Sequence, residues 1–489
     1  HNVSRTDSPS NIRGMIRSDY LADPTQVNSV FIFGHVPVPY SGNFNPDGHP
    51  DHRGAWPADA FYGDMDGSWT DNSVNNGGAE KAPNRNTPGD GKFDQSNLPS
   101  DVELQVGRVD LFNMTCFANK SPWFSEIDLL RRYLDKDHSF RMGQMSVERR
   151  GVVCDNFGEM EGEAFAASGW RNFSALLGAD QVSAVGYGQY FSTVKNKSYL
   201  MSYGTGGGGF YTCNGLGSTD DFVYNDVKSV FNFYFGSYFG DWDNESAFLK
   251  GALGSSGNSL TAAWAGRPHW FVHHMGVGET IGHGTRLSQN NDGLYGRVNY
   301  GSRGVHIALM GDPTLRLHPV KPATQVKATG GAAGVRIVWS ASSDSSIQGY
   351  HLYRSSSQAG PFARVNGELV TENSFLDSDP QGSTVYMVRA VKLETSGSGS
   401  YLNPGQGAFA SVIAGSTGEP VPTKNLFVKD GKFQLRIDGA PGSVYQIEDS
   451  NDCLSWKVIS IITIIDVPFY FIDPNARQLN LKFYRAKKL

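Results

Sequence analysis

The chain has 489 residues, enough for roughly three domains at about 150 residues each. Charged residues are 18% of it and the formal net charge is −6 with no basic block, so charge-driven disorder and nucleic-acid binding are not expected. The 58 glycines and 12% aromatic residues describe aromatic-rich strands separated by many turns.

In chain order, short apolar runs predict strands at Ser29–Gly34, Val102–Val109, Gly151–Asp155, Ser198–Tyr203, Ser229–Phe235, Ser259–Ala265 and Val305–Met310. Helical patterns fall at Glu126–Lys136, Glu159–Leu177, Glu245–Ala252 and Trp270–Thr280. Continuous apolar strands alternating with helices indicate an α/β domain with a mostly parallel sheet over residues 1–318. Functional groups in such a sheet are expected in loops beyond the carboxyl ends of its strands.

Composition shifts at Pro319–Pro322 and again at Gly415–Pro422, which sets off an all-β domain over 319–415 and a small all-β tail over 421–489. In the middle domain Trp339 in "VRIVWS", the strand "GYHLYR" and Tyr386 in "VYMVRAV" fit a seven-strand sandwich. No apolar run reaches the length of a membrane-spanning helix; Val458–Ile472 is broken by Asp466 and Pro468 and predicts two short strands. The sequence opens at His1 without a signal-peptide pattern, which suggests a mature product or a fragment of something longer. Cys116, Cys154, Cys213 and Cys453 lie far apart and form no CxxC pair, so free thiols are expected, with one disulfide left open.

Three groups of residues carry possible chemistry. Asp64, Asp66 and Asp71 in "FYGDMDGSWTD", with Asp90 and Asp94 in "NTPGDGKFDQ", make two oxygen-rich loops close in sequence. Alternating carboxylates with a turn glycine suit calcium, although the full twelve-residue loop and its terminal Glu are missing and Asx-turns explain such residues too. His269, His273, His274 and His283 cluster in "GRPHWFVHHMGVGETIGHG"; on a helix the first two would be i, i+4 neighbours, a spacing that can hold a metal. Aromatics are dense between Phe210 and Trp242, where Tyr238 and Trp242 are candidates to line a groove for a peptide or a sugar ring. The glycines of "GTGGGG" lack the Lys-Ser/Thr of a phosphate loop.

The segments "VNSVFIFGHVPVPYSG", "YGDMDG", "LQVGRVDL" and "GDPTLRL", in that order, resemble the gingipain-type cysteine peptidases of the caspase-like group across most of residues 10–318. The resemblance implies a caspase-like α/β/α sandwich. It also implies a His in a Gly-His-Gly turn and a Cys roughly thirty residues later. Here Gly204-Thr205-Gly206 stands at the first motif and "SYFGDW" at the second, so Thr205 occupies the His position and Ser237, 32 residues on, the Cys position. Threonine supplies no base, and an unactivated serine stays protonated. A thiol could return only through Cys213 with one of the downstream histidines. The middle segment resembles a fibronectin type III domain. The tail resembles a small β module at the ends of secreted bacterial proteins, through Tyr445, Ile447, Glu448, Ser450, Leu454, Trp456, Phe483, Tyr484 and Arg485.

The resulting expectation is a secreted or cell-surface pseudopeptidase acting as a structural or binding component. Gly204, Cys213, Tyr238, Trp242, His273 and His274 would line its cleft, calcium would be structural, and a cell-surface protein or polysaccharide would be the partner. A hydrolase with a rebuilt site and an adhesion scaffold are the alternatives.

Overall fold

The computed structural model describes residues 1–119, 124–294, 300–331, 333–413, 426–429, 432–437, 441–451, 455–465, 469–473 and 483–488. Cys453, Leu454 and the Gly415–Pro422 linker lie outside the described residues.

The chain divides into two compact units: residues 1–322 with 342–349 and 389–406, and residues 323–341 with 350–388 and 407–489. The first unit is built on eight strands: β1 (Ser29–Phe33), β2 (Gln105–Val109), β3 (Gly151–Asp155), β4 (Val182–Val185), β5 (Tyr199–Thr205), β6 (Ser229–Phe235), β7 (Thr261–Trp264) and β8 (Leu309–Gly311). Their order in the sheet is β1-β2-β8-β7-β6-β5-β3-β4. β1 pairs with β2 in parallel, β3 to β7 pair in parallel among themselves, and β8 runs antiparallel to β7. Every residue of β5 and β6 is buried, which is why both read as unbroken apolar or small-residue runs.

Helices α1 (Pro9–Ala22), α2 (Glu126–Arg141), α3 (Ala167–Leu177), α4 (Tyr190–Asn196), α5 (Thr219–Tyr224), α6 (Phe248–Gly254) and α7 (Ile281–Gln289) belong to this unit. α2 starts at a capping box in which Ser125 and Asp128 exchange side-chain-to-backbone hydrogen bonds. It continues five residues past the predicted end, closing with His138 and Arg141 at its carboxyl turn.

Two helix expectations are corrected. Residues 159–166 are not helical, because Gly158, Glu161 and Gly162 take positive φ and turn the chain before α3. Trp270–Thr280 contains only a short 3-10 turn at His273–Val277, and the helix begins after it, with the Thr280 hydroxyl accepting from the His283 amide. His269 and His273 therefore do not share a helix face. β4 and α1 carry no strong apolar periodicity and went unpredicted; the exposed middle of β4 and the single fully buried residue of α1, Ile12, account for that.

In the β-region that follows, strands Thr324–Gly331, Gly334–Ser340 and Ser374–Asp377 form one edge of a continuous path; Ala408–Ile413, Val385–Ser396, Ile347–Ser355 and Ala363–Arg364 continue it. Trp339 is buried against Tyr350, their ring centroids 5.1 Å apart. The Tyr386 hydroxyl donates to Asp377, which also takes the Arg354 guanidinium.

The tail holds two three-stranded sheets around Leu435, Ile437, Tyr445, Ile447 and Ile464. The spacing of its motif follows from strand register. Val444–Ser450 pairs with Phe483–Lys488 so that Glu448 faces Arg485 and Ser450 faces Phe483. Trp456 is not in this core; it lies half-buried under the Arg485 guanidinium, 4.1 Å from its ring centre.

Candidate functional site

Thr205 closes β5 and Ser237 follows β6 by two residues, with Phe235 opposite Thr205 in register. Thr205 is fully buried. Its hydroxyl donates to Asp155 Oδ1 at 2.8 Å and accepts from the Asn156 amide at 3.1 Å. Both hydrogen-bonding roles of that hydroxyl are thus taken by the end of β3. Ser237 is half-buried, and no hydrogen bond joins it to a histidine among the described residues.

The four glycines after Thr205 answer to close backbone approach. A Cβ on Gly206 would sit 2.0 Å from the Asn214 carbonyl oxygen, and one on Gly208 would sit 2.6 Å from the Gly236 Cα. The run lets the loop pass between its neighbours. Gly204, inside β5, packs on Leu216 and is wholly buried rather than cleft-lining.

Cys213 is buried too. Its thiol donates to the Phe235 carbonyl at 3.8 Å, and burial pushes the thiol well above its ordinary value. His273 and His274 lie on the 3-10 turn beside α3 and α7. There the His274 Nδ1 is 3.0 Å from His283 Nε2. Trp242 is 1% exposed and packs under Arg108, so it is core and lines no groove.

What does line a groove beside Ser237 is a cavity of about 310 Å³ bounded by His52, Lys81, Asn84, Gly209, Phe210 and Tyr238. Tyr238 takes a left-handed backbone, φ 73°, which turns its ring away from the strand. That ring stacks on His49 with centroids 5.1 Å apart and leans on His52 at 4.6 Å and Phe210 at 5.0 Å. The Lys81 ammonium sits 2.9 Å from the centre of the Phe210 ring and donates to Asn244 Oδ1. Burial lowers the pKa of Lys81.

Under this floor His52 lies between two carboxylates, with Nδ1 2.6 Å from Asp47 Oδ2 and Nε2 3.1 Å from Asp241 Oδ2. Burial by itself lowers the His52 pKa, but the hydrogen bonds and charges of Asp241 and Asp47 outweigh it and lift the value to about 9. His52 is therefore an imidazolium at neutral pH and cannot serve as a base. The sequence reading missed His49, His52, Asp47 and Lys81. "NPDGHPDHRG", with two aspartates and two histidines within ten residues, was the available signal.

Four of the five loop aspartates act as local caps. Asp64 is fully buried and accepts from the Gly67 amide, the Trp69 indole and the Ser100 hydroxyl. Asp71 accepts from Gly89 and Gly91, and Asp90 accepts from Thr87 and Lys92. Asp94 takes the amides of Asn72, Ser73 and Val74 and the Thr70 hydroxyl. Asp66 caps nothing comparable and is exposed. Among the described residues, these acids do not form a group of three potential metal ligands; His35, Asp110 and Asp243 do.

No family model matches the chain, and no curated protein does. Solved structures that match include a Fn3-like protein from Clostridium thermocellum, at 18% identity over 20% of this chain and 98% of that one, TM-score 0.16. The chicken CNTN1 FN1-FN3 domains match at 14% identity over 37% of this chain and 63% of theirs, TM-score 0.15. The exotype rhamnogalacturonan lyase YesX matches at 21% identity over 27% of this chain and 20% of its own, TM-score 0.16. Two of these three matches are fibronectin type III-like by name.

Proposed function

We propose that the first unit is a gingipain-type, caspase-like domain that holds peptide in its cleft without cutting it, as the binding component of a secreted or cell-surface protein. The reading rests above all on Thr205: the residue at the general-base position has its hydroxyl proton committed to Asp155. Three further features support it. Among the described residues Ser237 has no hydrogen bond to an imidazole, Cys213 is turned into the β6 backbone, and His52, beneath the cleft, is held protonated. General-base assistance contributes about 10²–10⁴-fold, and here it is missing along with the thiolate. The cleft keeps an aromatic wall in Tyr238 and Phe210 and a cation in Lys81, a surface that suits an extended peptide carrying an acidic or aromatic side chain.

The test is incubation of the full chain with a mixed peptide library. The expected result is no new peptide termini by mass spectrometry, no alkylation of Cys213 by iodoacetamide before unfolding, and retention of a peptide subset that Tyr238→Ala loses. Hydrolysis abolished by Cys213→Ala would establish the rival, a rebuilt peptidase.

A further inference from the structure

The loops leaving the carboxyl ends of β1, β2 and β6 converge on His35, Asp110 and Asp243, which each place one ligand atom within 4.8 Å of the other two. His35 Nδ1 is 2.8 Å from Asp110 Oδ2, and the Tyr40 hydroxyl donates to Asp243 Oδ2 at 3.2 Å. We propose that these three side chains form a binding site for a divalent transition-metal ion, zinc being the best fit.

The donor set is one imidazole nitrogen and two carboxylates, which suits zinc and its neighbours rather than calcium, an ion that prefers six to eight oxygens. Zinc holds such ligands at about 2.0–2.2 Å, which spaces them by roughly 3.4 Å in a tetrahedron. The observed separations need only small side-chain rotations to reach that. Three protein ligands also leave a fourth position for water, on the side where the His35 ring is 22% exposed.

Arg108 is committed to Asp59 through a two-point pair at 2.7 and 2.8 Å, so most of its charge is already answered. Lys250, buried on α6, acts on both Asp110 and Asp243. With Asp59, Asp110 and Asp243 against Arg108 and Lys250, the cluster keeps one negative charge when His35 is neutral. A cation here would clasp three loops together. It would also fix Asp243 two residues from Asp241, the acid that holds His52 beneath the cleft. The site stands whether or not the cleft binds peptide.

The experiment strips the full chain with chelator and titrates it with zinc chloride against a chromophoric zinc chelator, then repeats with cobalt(II). The expected result is one tight equivalent, a rise in melting temperature, and a visible cobalt spectrum of tetrahedral intensity. His35→Ala and Asp243→Asn should each weaken that equivalent at least tenfold. His274→Ala, at the other histidine pair, should leave it unchanged. A folded His35→Ala protein that binds zinc as tightly as the parent, or a parent that binds none at about 100 μM, a level at which any site of this donor type fills, overturns the proposal.

Discussion

At the residue scale the protonated His52 has a measurable consequence. Its pKa rises from 6.5 to about 9 on folding, so the folded state binds the proton more tightly. The stabilisation is fully present below about pH 6.5 and is lost as pH climbs through about 9, at most about 3 kcal/mol for a shift of this size. Urea denaturation is therefore expected to show stability falling between pH 7 and 10, with a smaller fall in His52→Gln. An equal fall in both would assign the pH dependence to other groups. The family resemblance could pair Thr205 with Ser237. It could not show that the Thr205 hydroxyl is bound to Asp155, fifty residues earlier, because that contact follows from β3 and β5 lying side by side.

At the element scale, Lys136 on α2 shows how the end of a neighbouring helix is satisfied. Its buried ammonium donates to the carbonyls of Leu253, Ser255 and Ser259, at the end of α6 and the entry to β7. Lys136→Met leaves three buried acceptors without a donor and is expected to cost about 3 kcal/mol, read as a lower urea midpoint. The acidic loops make a second case. Since amides already occupy Asp71, Asp90 and Asp94, adding calcium to metal-stripped protein is expected to leave the melting temperature unchanged, whereas Asp94→Ala lowers it. A calcium-dependent rise that Asp94→Ala removes would restore a calcium loop. Which loops carry acids was legible; whether those acids face an ion or their own backbone was not, because Asx-turns and calcium loops draw on the same residues.

At the scale of the whole molecule, the composition shift at Pro319 is not where the first unit ends. Residues 389–406 belong to that unit. There Arg149 meets Glu394 at 2.6 Å, Ser396 donates to the Gly276 carbonyl, Ser398 to Ala175 and Asn403 to His318. A chain cut after residue 318 loses all four and is expected to melt below a chain of residues 1–413. Each such hydrogen bond is worth about 1 kcal/mol. Equal melting of the α/β transition in both chains would show that the hairpin adds nothing.

By itself the sequence determined the periodic parts of this protein: β3 and β6 residue for residue, the start of α2 and the Trp339 strand. Local pattern suffices there, since burial on both faces or one face leaves a period in the chain. Tertiary structure alone decided the rest. Trp242 went to the core and Tyr238 to the groove although they lie four residues apart, because a left-handed residue at 238 turned the loop between them. His35, Asp110 and Asp243 have no spacing to read. They become neighbours only when strands distant in sequence lie in one sheet and their loops close over its end.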